Sequence, residues 1–139
     1  MQFTVPKSLL SATAVAVIGM GIFFVVLRPP LMIEDIRFMA SSEQALHLAA
    51  PRFADWLTLV FRVMGGFMIA TGSLLLALLS GDALRPFATK VAVAVAGIRS
   101  IGVMTVVNFA IGSDFKWMIL AFAALWAAAV IGLVNEKSP

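Results

Sequence analysis

The sequence predicts an all-α integral membrane protein, a four-helix bundle with short connections and one longer first loop. Three observations predict it. Of 139 residues, 62% are hydrophobic and only 12% are charged, where soluble domains carry about 25% charged residues. The apolar residues gather into four blocks, and a helix of about 20 residues crosses a hydrocarbon core of about 30 Å. The later joints are short and rich in Gly, Pro, Ser and Asp, which makes successive helices antiparallel neighbours. Residues 1–139 read as a single transmembrane domain without internal repeats.

The first span covers 8–27 and contains no charged residue. Lys7 precedes it and Arg28-Pro29-Pro30 ends it, because two prolines remove two backbone donors. A cleavable secretory signal is the rival reading. Its apolar region would be unusually long, and no small-x-small cleavage site follows. Residues 28–54 form the one sizeable connection. Within it, Ser41-x-x-Gln44 predicts a capping box for a short helix ending near Pro51.

The second span, 55–80, has an uncharged core at 63–81 with Asp55 and Arg62 in its first turns. Trp56 suits an interfacial anchor. A helix starting near Arg52 would be about 42 Å long and must tilt or project. Gly66-x-x-x-Ala70 offers a small-residue step for close helix approach. Ser80-Gly81-Asp82 and Arg85-Pro86 make the turn into the third span, 88–111, which Arg99 interrupts near its centre. Gly112-Ser113-Asp114 makes the next turn, with Asp114 the expected N-cap of the fourth span, 117–134. That span is rich in alanine, including Ala121, Ala124 and Ala128.

Composition excludes much chemistry. There is no cysteine, so disulfides, thiolate catalysis and thiolate metal sites are absent. A single histidine, His47, rules out a His-rich metal cluster or bis-histidine haem within the chain. The net charge is +3 and scattered, with no basic stripe for nucleic acid. No phosphate-binding glycine loop, zinc motif or nucleophile elbow occurs. No cofactor is expected. The eight methionines suit packing gaps better than copper.

An even number of spans puts the two ends of the chain on one side. That side holds Lys7, Arg85, Lys90 and Lys137, and the other holds Arg28, Arg37, Arg52, Arg62 and Lys116. The count of cations therefore does not orient the chain. Net charge favours the terminal side, because Glu34, Asp35, Glu43, Asp55 and Asp114 neutralise the other. Cytoplasmic termini in a bacterial inner membrane are the expectation.

Arg99 is the sharpest candidate for function. It lies about 18 Å along the helix from either end of its span, where a cation costs about 2.5–3.5 kcal/mol to insert. No acidic residue lies in the central part of any span. Three readings are open: a contact with another subunit, an anionic lipid or substrate, or backbone carbonyls that serve packing. Arg62 shares a stripe with Asp55, Thr58, Gly66, Ile69 and Ser73, a mildly polar face suited to a bundle interior. Interfacial anchoring is its other reading. Arg62 and Arg99 would form an anion site if their helices adjoin. Asn108 is nine residues beyond Arg99, about 180° around a regular helix, and is expected to make an interhelical hydrogen bond. In the first loop, His47 with Glu34, Asp35, Glu43 and Asp55 forms a candidate polar group for a metal or a proton. The spacing matches no compact metal motif, and a wetted interfacial helix is the plainer reading. Glu34 and Asp35 also lie within reach of Arg28 or Arg37.

Four spans, a longer first loop and the run Ile33-Glu34-Asp35-Ile36-Arg37-Phe38-Met39 followed by Ser42-Glu43-Gln44 resemble small four-helix bacterial membrane proteins of DoxX-like outline. The resemblance implies the fold and carries no ligand residues. The features together point to a non-catalytic accessory or scaffold subunit of a larger membrane complex, with lipids and other subunits or further copies as partners. A small carrier or channel for an anionic or amphipathic solute is the alternative. A membrane enzyme lacks the acid, nucleophile or ligands at membrane depth.

Overall fold

The computed structural model describes residues 4–80 and 83–136. Gly81 and Asp82 of the expected turn, and Lys137, lie outside the described residues. Helix α1 (Val5–Ile22) begins with Pro6 in its first turn and continues as a π-helical turn, Phe23–Leu27. Two short helices follow, α2 (Ile33–Phe38) and α3 (Glu43–Ala49). Helix α4 (Phe53–Leu79) is the longest. The third span is α5 (Phe87–Gly97), a π-helical turn (Ile98–Gly102) and α6 (Val103–Ala110). The fourth is α7 (Lys116–Asn135). Four helices are long and apolar enough to cross a membrane, which makes this an all-α, four-span integral membrane protein.

Packing follows a row rather than a closed ring. Helix α1 lies between α4 and α7, and α7 packs in turn on α5 and α6. Helix α4 and the third span share no extensive packing. Buried side chains gather toward the terminal side, where Leu10, Leu79, Leu84, Val93, Trp126 and Leu133 form one cluster. Outward residues such as Phe67, Leu74, Val106 and Ile131 are apolar and exposed, as lipid-facing positions should be.

Close approach rests on particular glycines. A Cβ on Gly21 would lie 2.7 Å from the Gly65 carbonyl oxygen, and one on Gly65 would lie 2.5 Å from the Gly21 carbonyl oxygen. Gly72 sits equally close to the backbone of Ala14. Gly66, by contrast, is exposed and has nothing within 4 Å of its Cβ position. The expected Gly66-x-x-x-Ala70 step is therefore corrected: neighbouring residues differ by about 100° around a helix, and it is Gly65 that faces α1. Gly97 receives the indole of the buried Trp126 from α7.

Two caps differ from expectation. Ala40 has a positive φ of 49°, and Ser41 N–H reaches back to the Ile36 carbonyl. Ser41 thus closes α2 in a Schellman arrangement. The N-cap of α3 passes to Ser42, whose Oγ accepts from Ala45 N–H at 3.1 Å. Asp114 does not cap α7. The Ser113 Oγ accepts from Phe115 N–H at 3.1 Å instead, and Asp114 turns to the first loop. The Gly112 turn is as expected: its φ is 66°, and Ser113 N–H bonds to the Asn108 carbonyl, a second Schellman closure.

Lys90 is 8% exposed and donates to the carbonyls of Leu133 and Glu136. Its charge meets the negative end of α7 and satisfies carbonyls that the helix leaves open. Lys90→Met should destabilise the fold by about 1–2 kcal/mol, and amide exchange should rise selectively near Leu133. Unchanged protection there would show that the carbonyls find other donors.

Candidate functional site

The polar residues divide between two places. The first lies on the loop side, where α2 closes over the α6–α7 turn. The π-helical turn carries the chain out of α1, and Arg28 follows it with extended backbone. The guanidinium lies over the Phe61 ring of α4, 3.5 Å from the centroid, and 5.4 Å from that of Phe24. Such stacking is favourable when water is excluded. The Arg28 side chain is only 8% exposed and meets Asp35 Oδ2 at 3.1 Å. The same oxygen accepts from Met32 N–H at 2.9 Å, so Asp35 also secures the first turn of α2. Burial draws the Arg28 guanidinium below its ordinary pKa, and the charge and hydrogen bond of Asp35, then the charge of Glu34, act in the opposite sense.

Glu34 is buried. Its carboxylate accepts from the Ser113 hydroxyl at 2.9 Å and from Asp114 N–H at 3.0 Å. Arg37 reaches the Asp114 carboxylate at 3.2 Å on the exposed rim. The first loop is thereby clasped to the turn between spans three and four. A buried carboxylate accepting two donors is well held.

The second place is the middle of the third span. Arg99 is exposed and lies in the π-helical turn. Among the described residues it has no hydrogen bond or ion pair. Ser100 Oγ donates to the Ala96 carbonyl at 2.8 Å, which satisfies backbone near the widened turn. Arg62 also faces outward and is unpaired among the described residues.

The sequence candidates are thus partly regrouped. Glu34 and Asp35 come together with Arg28, while His47 and Asp55 are exposed elsewhere. His47 and Glu43 line a half-open cavity of about 460 Å³ with Leu31, Leu46 and Phe53. Among the described residues, no three histidine or carboxylate groups gather as a metal site. Most of the Arg62 stripe does not face the interior, and Ile69 is its one member packed against Gly21 of α1. Gly66 and Ser73 are exposed, and the hydroxyls of Thr58 and Ser73 bond to carbonyls of their own helix. Within the chain Arg62 and Arg99 are not brought together, because α4 and the third span share no extensive packing. Asn108 Nδ2 donates to the Met104 carbonyl at 2.8 Å within its own helix, rather than across helices. The 180° phase from Arg99 also fails, since the π-helical turn inserts one residue and shifts the phase by about 100°.

Arg28, Ser113 and Lys90 are the residues that sequence reasoning undervalued. Arg28 counted there as a flanking charge within reach of Glu34 and Asp35, and its burial against Phe61 had no signal in the sequence. Ser113 and Lys90 act across long chain separations and leave no local signal. No family model, curated protein or solved structure matches the chain. Fold and site together define a small all-α membrane protein with four spans.

Proposed function

We propose that the chain is a non-catalytic accessory or scaffold subunit of a larger membrane protein complex. Arg99 carries this reading. A cation at mid-span, turned away from its own bundle, is stable only where another molecule completes its surroundings. Arg28 gives the contrast within one chain: its partners are Asp35, Phe61 and Phe24, all supplied internally. The open row of helices supports the same reading, because α4 and the third span each leave a broad face uncovered. The carrier reading has less support, since Arg62 and Arg99 stand on helices that do not adjoin and one N–H of the Asn108 amide serves the Met104 carbonyl of its own helix.

Under this proposal the chain sits in a bacterial inner membrane with Lys7 and Lys90 toward the cytoplasm. The position of Arg62 within its span supports the orientation, because it removes one cation from the opposing count. The DoxX-like outline belongs to the same reading and rests on the four spans and the first-loop sequence.

The test is native mass spectrometry after mild extraction from the protein's own host. Wild type should emerge with different chains at fixed stoichiometry, whereas a monomer or a pure homo-oligomer would favour the carrier reading instead. Arg99→Leu should insert normally, since it removes an insertion cost of about 2.5–3.5 kcal/mol, yet should lose the assembly. A monomeric wild type, or an assembly indifferent to Arg99→Leu, would remove Arg99 as its contact.

A further inference from the structure

Resting on the subunit reading above, we propose that the outward face of the third span docks a transmembrane helix of a different chain, and that a carboxylate of that helix at mid-membrane depth receives Arg99. Three observations converge on this occupant. Arg99 is exposed between the apolar Val95, Ile98 and Val103, which are also exposed and flank it within about one turn. The surface is thus an apolar helix face with one central cation, and its complement is an apolar helix face with one central anion.

The second observation is depth. Phe87 and Ala110 bound the span, and Arg99 lies about 17–18 Å along the helix from each. A lipid phosphate at either surface is beyond the stem of an arginine at that depth, so a headgroup meets it only through a membrane defect. A carboxylate on a facing helix needs no defect.

The third observation argues against a second copy as the source of the carboxylate. The acidic residues of this chain are Glu34, Asp35, Glu43, Asp55, Asp82, Asp114 and Glu136. The one within a span is Asp55, in the first turn of α4. A second copy therefore brings another arginine to mid-depth and no anion. The backbone is adapted at the same point. Ile98–Gly102 is π-helical, an irregularity that recurs at functional positions in otherwise regular helices. Ser100 Oγ satisfies a carbonyl there, leaving the guanidinium donors for the incoming group.

A photo-crosslinking residue at position 95, in membranes of the host, tests the proposal, with the same residue at position 74 of α4 as control. Position 95 should yield one adduct with a different chain, absent from position 74. The linked peptide should lie in an apolar span bearing Asp or Glu near its centre. Arg99→Glu should cut the adduct at least tenfold, Arg99→Lys should retain most of it, and exchanging the facing carboxylate for Arg should restore it in the Arg99→Glu background. An adduct with a second copy alone would overturn the hetero contact and favour the carrier reading over the subunit one. A different chain without a central acid, or a yield unchanged by Arg99→Glu, would overturn the ion pair alone. Adducts with lipid only would overturn both.

Discussion

Gly65→Ala should lower stability by about 3 kcal/mol, while Gly66→Ala one residue later should be neutral or slightly stabilising. The magnitude lies at the upper end of what overpacking costs, because the atom in the way is backbone. The new Cβ at position 65 would stand 2.5 Å from the Gly21 carbonyl oxygen and 2.7 Å from a Val25 methyl. A side chain can rotate aside, but the carbonyl belongs to α1 and moves only with the helix. Displacing α1 from α4 also loosens the Gly72 contact with Ala14 two turns away. In a membrane the contact has little hydrophobic driving force behind it, so lost van der Waals packing is lost stability. At Gly66 nothing lies within 4 Å, and alanine stiffens the helix by about 0.5–1 kcal/mol. Unfolding midpoints of the two variants in mixed micelles decide the matter. Equal midpoints would mean that α1 and α4 do not cross at Gly21 and Gly65.

The glycine pair also shows where sequence reading stops. The four spans were legible because the bilayer demands apolar helices of a certain length whatever they pack against. The choice of face was not. In water, a helix shows its buried side by polarity. In lipid, outer and inner faces are both apolar, so the sequence around Gly65 and Gly66 contains no phase information. The stripe at Arg62 was ambiguous for a related reason. Its Thr58, Gly66 and Ser73 looked polar enough to face inward, but each hydroxyl bonds to its own backbone, and such a helix surface needs no partner. Phe61, the apolar neighbour of Arg62, is the residue that turns in to meet Arg28.

The candidate site was legible in composition more than in grouping. Glu34 and Asp35 were read as polar residues with Arg28 or Arg37 in reach; Asp35 pairs with Arg28, and Glu34 turns to Ser113 and Asp114 instead. The Asp35–Arg28 pair is local, seven residues apart. The other half of the clasp, Ser113 and Asp114, lies about eighty residues away in the chain, and no periodicity announces it. His47 and Asp55 joined the group on chain proximity alone, and the fold separates them from it. The cap of α3 shifted from Ser41 to Ser42 because Ala40 adopts a left-handed conformation, which sequence reading assigns to glycine or asparagine. Arg99 was legible from depth alone, and the irregular turn around it was not, since a π-helical turn has no composition of its own.

Asp35→Ala should cost about 3 kcal/mol, the low end for removing one member of a buried ion pair, and should release the first loop. The carboxylate does two things at once. It accepts from the Arg28 guanidinium at 3.1 Å and from Met32 N–H at 2.9 Å. Its loss leaves a cation that is buried against Phe61 with only the weaker influence of the Glu34 charge, and burial already opposes that cation. Stacking on an aromatic face compensates for part of this, which holds the expected cost at the low end. Asp35→Asn separates the two roles. The amide oxygen can still accept from Met32 N–H, but the ion pair is gone, so its cost should fall between wild type and Asp35→Ala. Arg28→Met should cost less than Asp35→Ala, because it leaves a polar carboxylate near water instead of a cation under a ring. Arg28→Met with Asp35→Ala should then be less damaging than the sum of the two, a coupling that a double-mutant cycle measures. Strict additivity would show that Arg28 and Asp35 do not act as a pair. Loop release is read separately, from amide exchange at Met32 and at Asp114. Exchange should rise at both positions in Asp35→Ala, because α2 carries Glu34 as well, and once its first turn frays the Glu34 clasp on Ser113 and Asp114 has no fixed base to hold it.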